Sequence, residues 1–329
     1  MNTHGVVTSI VTPFSSRPSV SGGSSILVDE KSWRNEIAFQ RDSGIPAVAV
    51  AGWIGEGSTL SRKERQTLIA MAVEIAGPMR VYADISSNDT AKAETYAGDA
   101  EAAGADAVIV VTPSYSRPNI AGVRRHVERV TRAVDLPVYV EFDAARTRCG
   151  LTAREMSKLA RIDGVAGLID HASNPLSVEC LSGIGKPVLF LSASEPICVA
   201  ACLFGADGFF SAIANLAPVE VLRMQAACRD GQFDRARVLH ERLLPLILAI
   251  EEHGVAALKY ALLLRRGIES TVRLPLVPLD RDGRIAVENA LSALTAAELE
   301  EQAPTAHSAL YDANRRQRIV MGAGAGLIS

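Results

Sequence analysis

The pattern of this sequence points to an α/β architecture, a (β/α)8 TIM barrel with a C-terminal helical extension. Short β-branched runs alternate with amphipathic helical patterns almost to residue 230, the rhythm of parallel strands joined by crossover helices. Eight such units follow one another without a topological reversal, which favours a closed barrel over an open doubly wound sheet. The 329 residues exceed the roughly 250 of a typical barrel, and beyond Pro218 the pattern is all-helical. Residues 1–217 are therefore assigned to the barrel and 218–316 to helices packed on it, with 317–329 as a flexible tail.

The first strand is expected over Val6–Thr12, stopped by Pro13. The Ser/Gly/Pro-rich stretch Ser15–Ser25 reads as a surface loop, and a helix follows over Asp29–Ser43. The second strand, Ala47–Ala51, ends in Gly52-Trp53-Ile54-Gly55-Glu56. Ser61-Arg-Lys-Glu64 has the spacing of a capping box and starts the next helix. Arg80–Asp84 is the third strand, leading into a helix over Ala91–Ala103, and Ala107–Val111 is the fourth. Strands five and six are Pro137–Phe142 and Gly164–Ile169, separated by a helical pattern around Leu151–Arg161. Val188–Leu191 and Gly208–Phe210 complete the eight, and Leu243–Glu251, Val255–Leu264 and Ile285–Asn314 are the main helices of the extension.

Hydrophobic residues make up 48% of the chain and charged residues 22%, ample material for a core. A net charge of −3 gives no ground for nucleic-acid binding, which needs clustered Lys and Arg. The basic run Arg315-Arg316-Gln317-Arg318 reads as a solvated helix end. No signal-peptide pattern opens the chain, and no apolar run approaches the 18 or so residues that span a bilayer, so no membrane partner and a cytoplasmic location are expected. Five cysteines without a CxxC pair argue against a disulfide framework or a thiolate zinc site.

Strands five and six set the functional reading. Glu141, Asp143, Arg146, Asp170 and His171 cluster at their ends among apolar and small residues, and a charge withdrawn from water is tolerated when it is paired or used. Between Pro137 and Ser173 the one lysine is Lys158, which falls in the helical pattern.

Several ordered motifs resemble the dihydrodipicolinate synthase / N-acetylneuraminate lyase family. They are Gly5-Val-Val-Thr-Ser-Ile-Val-Thr-Pro-Phe14, Gly52-x-x-Gly-Glu56, Leu60-Ser-x-x-Glu-Arg65, Gly104-Ala-Asp-Ala-Val-Ile-Val-Val-Thr-Pro113, Tyr115-x-Arg-Pro118, Gly205-Ala-Asp-Gly208 with Ser211-x-x-Ala-Asn215, and Arg273-Leu-Pro-Leu276. They run in order through nearly all of residues 5–300. The resemblance implies a barrel with helical extension, assembly as a homo-oligomer (dimer or tetramer), and carbon–carbon bond chemistry on a keto acid through a lysine imine.

The mapping then departs from the family. Its Gly-Ile-Lys-Glu falls on Gly167-Leu168-Ile169-Asp170, so Ile169 occupies the lysine's position, and an isoleucine forms no imine. The expected proton-relaying tyrosine of strand five falls on Glu141. The two hydroxyl residues that hold the keto acid's carboxylate fall on Trp53 and Ile54, and a glycine of strand three falls on Asp84. Tyr115 matches a residue that reaches into a neighbouring subunit's site, and Arg146 resembles an arginine that binds a second substrate's carboxylate. The remaining lysines lie in helical patterns or, for Lys186, at the barrel bottom.

Side chains alternate along a strand, so with position 169 facing inward, Asp84, Glu141, Asp143 and His171 share the interior, with Arg146 at the rim. This set can transfer protons, receive a cationic substrate, or bind a divalent metal through Asp84, Glu141 and His171. We assign Glu141, Tyr115 and His171 as catalytic candidates. Arg146, Trp53, Ile54, Asp84, Asp143 and Ile169 are the substrate-binding candidates, and no metal or cofactor is assigned. The bland alternatives are mouth packing for Trp53, a hydrogen-bonded core histidine for His171, and interface packing for Tyr115. Three functions follow: a lyase using acid/base chemistry on a small keto- or hydroxy-acid, a non-catalytic metabolite-binding pseudoenzyme, or a structural partner of an active paralogue. The substitutions install large or charged groups where the family has small or hydroxyl ones, which favours the first.

Overall fold

The computed structural model describes residues 5–19, 23–172 and 174–302. Eight parallel strands close into a barrel in the order β1 (Val6–Ser9), β4 (Ala47–Val50), β5 (Arg80–Asp84), β6 (Ala107–Val111), β7 (Val138–Phe142), β8 (Val165–Asp170), β9 (Leu189–Ser192) and β10 (Gly208–Ser211). Val6 pairs with Phe209 and Val7 with Ala47, so the first strand seals the last to the second. Each strand falls on its expected run, although β1 ends at Ser9 rather than Thr12.

The stretch expected to be a loop is a hairpin. β2 (Phe14–Ser19) and β3 (Gly23–Val28) pair antiparallel outside the barrel, with Phe14 opposite Val28. Phe14 and Ile26–Val28 supply apolar residues at the hairpin base, and Phe14 is fully buried. The turn-forming composition hid this ladder, and the tip at 20–22 lies outside the described residues.

Parallel strands buried on both faces need apolar residues inward and outward. Inside the barrel Val7, Ala49, Tyr82, Ile109, Tyr139, Ile169, Leu191 and Phe210 form a separate cluster. The Tyr82 and Tyr139 rings stack there, with centroids 4.9 Å apart. Gly167 makes room for them, since a Cβ at that position would lie 2.4 Å from the Tyr139 ring. The outward residues pack with the helices as one continuous core.

Helix α1 (Glu30–Asp42) starts at an Asp29 cap, and α2 (Arg62–Ala76) starts at the expected capping box, in which Ser61 and Glu64 satisfy each other's backbone amides. Helices α3 (Thr90–Ala102), α4 (Ile120–Ala133), α5 (Ala144–Thr147), α6 (Ala153–Ala160) and α7 (Cys198–Leu203) connect the later strands. Beyond the barrel run α8 (Pro218–Arg229), α9 (Phe233–Arg266) and α10 (Arg281–Gln302). The two helices expected over Leu243–Glu251 and Val255–Leu264 belong to α9, interrupted at Gly254 by a φ of 67°. The end of the helix expected over Ile285–Asn314, the basic run at 315–318 and the tail at 317–329 lie outside the described residues.

Lys259 of α9 ties this extension to the barrel. Its ammonium is buried, donates to Glu56 at 2.5 Å and to the Thr271 carbonyl at 2.8 Å, and lies over the Phe14 ring. All five cysteines are free thiols. Among the described residues no helix is long and apolar enough to cross a membrane.

Candidate active site

The carboxyl-terminal ends of barrel strands point one side chain in two into the mouth. On β7 that side chain is Glu141, whose Cα pairs with Ile169 of β8. The ladder continues one step past β8, because the His171 amide donates to the Phe142 carbonyl at 3.0 Å. His171 thereby keeps the inward parity of Ile169, and its Nε2 lies 2.7 Å from Glu141 Oε1.

Asp143 stands on the other edge of the imidazole, with Oδ2 3.8 Å from His171 Nδ1. It caps α5, accepting the Arg146 amide at 2.9 Å and pairing with the Arg146 guanidinium. That guanidinium in turn lies 3.6 Å above the Trp53 ring. Glu141, His171, Asp143, Arg146 and Trp53 thus form one connected line from the barrel interior to its rim.

The charges follow from this line. Burial disfavours an imidazolium, yet the hydrogen bond and charge of Glu141, with the charge of Asp143, outweigh it and hold His171 above its ordinary value. Burial pushes Asp143 up, but His171 and Arg146 together draw it below the usual carboxylate range. Asp84, at the end of β5, is the opposite case. Burial, reinforced by the Glu141 charge, pushes its carboxyl up to about 7, although its Oδ1 accepts the Ser86 amide at 2.8 Å.

A cavity of about 390 Å³ opens over this line. Trp53, Ile54, Asp143, Arg146 and His171 line it, five of the expected site residues. Glu141, Asp84 and Ile169 sit behind that lining, each at most 5% exposed. Tyr115 is elsewhere: it is 95% exposed and has a φ of 60°, and it does not line the cavity of this protomer.

Ile169 is fully buried among the apolar side chains of the barrel interior. Among the described residues no lysine lines the cavity. Lys186 donates to the Ile162 and Val165 carbonyls at the start of β8, the end of the barrel away from the mouth, and Lys259 is engaged by Glu56. Among the described residues no three His, Cys, Asp or Glu side chains come together as a metal-holding group.

Among the lining residues that were not foreseen, Glu195 and Ser9 carry polar groups. Glu195 follows β9, is 6% exposed, and accepts from the Ser211 hydroxyl at 2.5 Å and the Ile213 amide at 3.0 Å, while burial pushes its carboxyl up to about 7. Its place just past a strand end is the signal that had picked out Glu141 and His171. Ser9 lies at the end of β1 and gave no such signal, because one serine in an apolar run reads as part of the strand.

Comparison with known proteins identifies the family. The model of the dihydrodipicolinate synthetase family matches residues 2–294. The 4-hydroxy-tetrahydrodipicolinate synthase of Bartonella tribocorum is 33% identical over 292 residues, which cover 88% of this chain and 97% of that protein. The protein of the same name from Syntrophobacter fumaroxidans is 31% identical over 293 residues, covering 88% and 98%. Among solved structures, dihydrodipicolinate synthase from Thermotoga maritima superposes with a TM-score of 0.83 at 27% identity, covering 90% of this chain and 99% of that one. The Acinetobacter baumannii enzyme complexed with pyruvate gives 0.82 at 26%, covering 89% and 99%. On the whole-length match and the shared barrel, this chain belongs to the dihydrodipicolinate synthetase family.

Proposed function

We propose that this protein is a lyase acting on a small keto- or hydroxy-acid by acid/base chemistry, without a lysine imine. The observation that carries the reading is the 2.7 Å contact of His171 with Glu141 at the mouth, beside an isoleucine at position 169 and with no lysine in the cavity wall. Membership of a family whose named relatives are 4-hydroxy-tetrahydrodipicolinate synthases supports the reaction class.

In this mechanism Arg146, steadied on the Trp53 face, receives the substrate carboxylate through its planar donors. Glu141 orients His171 and keeps it protonated. Because Nε2 is engaged by Glu141, Nδ1 is the nitrogen that meets the substrate oxygen, donating a hydrogen bond as charge develops there. The proton removed from the adjacent carbon passes to a carboxylate of the cluster. A positioned acid/base group contributes about 10²–10⁴-fold in rate, enough for an activated carbon acid or an elimination. No metal or cofactor enters this scheme. The exposed Tyr115, on a left-handed backbone, supports a homo-oligomer, dimer or tetramer, in which it is covered by a second subunit.

The test is proton NMR in D2O with a panel of small keto and hydroxy acids, with and without divalent metal. At least one acid is expected to exchange or to be cleaved at a rate that falls in Glu141→Gln. Binding without turnover across the panel would favour the metabolite-binding reading instead.

A further inference from the structure

Behind the His171–Glu141 pair the barrel interior carries a second polar feature. Ser9 shares the inward parity of Val7, lines the cavity and is 2% exposed, yet its hydroxyl has no hydrogen-bond partner. A hydroxyl withdrawn from water and left unpaired is unfavourable, so one standing in a cavity wall calls for a partner that enters with a ligand.

Gly52 shows what lies beside it. A Cβ at that position would be 3.8 Å from Ser9 Oγ and 3.3 Å from Asp84 Oδ2, so the two oxygens flank the same bare stretch of backbone. The Oδ1 of Asp84 is engaged by the Ser86 amide, and Oδ2 is its other hydrogen-bonding atom. Ser9, Asp84 and Glu141 end or near the ends of the first, third and fifth barrel strands, and alternate strands supply one layer of interior side chains. Above the stacked Tyr82 and Tyr139 rings the barrel thus changes from apolar to polar.

We propose that Ser9, in the cavity wall and backed by Asp84 just behind the lining, forms an oxygen-binding subsite, which takes a substrate hydroxyl in addition to the carboxylate held at Arg146. The preferred ligands are then hydroxylated keto or hydroxy acids over their deoxy counterparts. The proposal rests on the small-acid reading of the cavity given above. Near neutrality a fraction of Asp84 retains its proton, so the subsite offers both donors and acceptors to the incoming oxygen.

Isothermal titration calorimetry with two matched pairs tests it: hydroxypyruvate against pyruvate, and glycerate against lactate. The hydroxylated member of each pair is expected to bind about three- to tenfold more tightly, the worth of one neutral hydrogen bond. Ser9→Ala is expected to abolish that preference while leaving pyruvate affinity unchanged, and to melt no lower than the parent protein because the deleted hydroxyl was unpaired. Equal affinities in the parent protein, or a preference that survives Ser9→Ala, overturn the subsite and leave the small-acid reading standing. If none of the four acids binds, the small-acid reading itself falls and the subsite with it.

Discussion

The Nε2 of His171 and the Oε1 of Glu141 meet at 2.7 Å, His171 two residues past the isoleucine that pairs with Glu141 and fills the barrel centre. A carboxylate that favours the charged imidazole thus stands beside His171 at the mouth, just past the strand that carries Ile169. If that contact sets the charge of His171, Glu141→Gln lowers the histidine's pKa, read from its ring-proton shift during an NMR titration. An unchanged titration contradicts the pairing. The linkage has a definite sign. A histidine raised above its ordinary 6.5 contributes stability that is fully present below that pH and is lost as pH rises through the folded value.

Asp84 should make the protein sensitive to pH in the same direction for a different reason. Its carboxyl, normally near 3.8, is pushed up to about 7 by burial and by Glu141, so the folded state loses stability as pH rises between those values. Asp84→Asn removes the buried charge. Its gain in unfolding free energy is therefore expected to be larger at pH 8 than at pH 5, with a difference of about 3 kcal/mol at most, at about 1.4 kcal/mol per unit. An equal effect at both pH values would place the charge cost of Asp84 elsewhere.

The cavity has a built-in reporter. The chain has two tryptophans: Trp33 is fully buried in α1, and Trp53 lies beneath Arg146 in the cavity wall. Binding of pyruvate should change tryptophan fluorescence, and Trp53→Phe should remove the change. Arg146→Ala is expected to weaken pyruvate binding about tenfold or more, the loss of a charge-assisted contact. Unaltered affinity in that variant removes Arg146 from carboxylate recognition.

Lys259 and Glu56 are predicted to be structural. Burial lowers the Lys259 ammonium to about 8 despite the attraction of Glu56, and the pair is almost inaccessible to solvent. Lys259→Met leaves a buried carboxylate unpaired and should cost about 3–5 kcal/mol. The double variant Lys259→Met/Glu56→Gln removes both charges, keeps an acceptor for the Arg273 amide, and should recover most of that loss in thermal or urea unfolding. Equal instability of the single and double variants would contradict a charge-pairing role.

How much of this was legible before the fold was known depends on the range of the interaction. The two-residue period of a strand is local, so the shared inward parity of Glu141, Ile169 and His171 could be read directly from sequence. The Ser61 to Glu64 capping box is equally local. The stacking of Arg146 on Trp53 joins the short helix α5 to the turn after β4, brought together only by barrel closure, and nothing in either segment announces it. The hairpin at Phe14–Val28 was masked by serine, glycine and proline, whose turn preference outweighs the few apolar residues that anchor it. Ser9 was invisible for a different reason, since what marks it is a missing hydrogen bond, and a missing partner is a property of the folded interior. Gly254 did separate the two expected helical patterns, and its non-helical φ of 67° and ψ of −151° break the helix there.

The proposed imine-free chemistry is open to one decisive measurement, intact mass spectrometry after incubation with pyruvate and sodium borohydride. The lysine-free cavity predicts an unchanged mass at saturating pyruvate, in the parent protein and in Glu141→Gln alike. A stable reduced adduct that requires pyruvate would show that a lysine reaches the substrate, and acid/base catalysis by His171 and Glu141 would have to give way to the imine route.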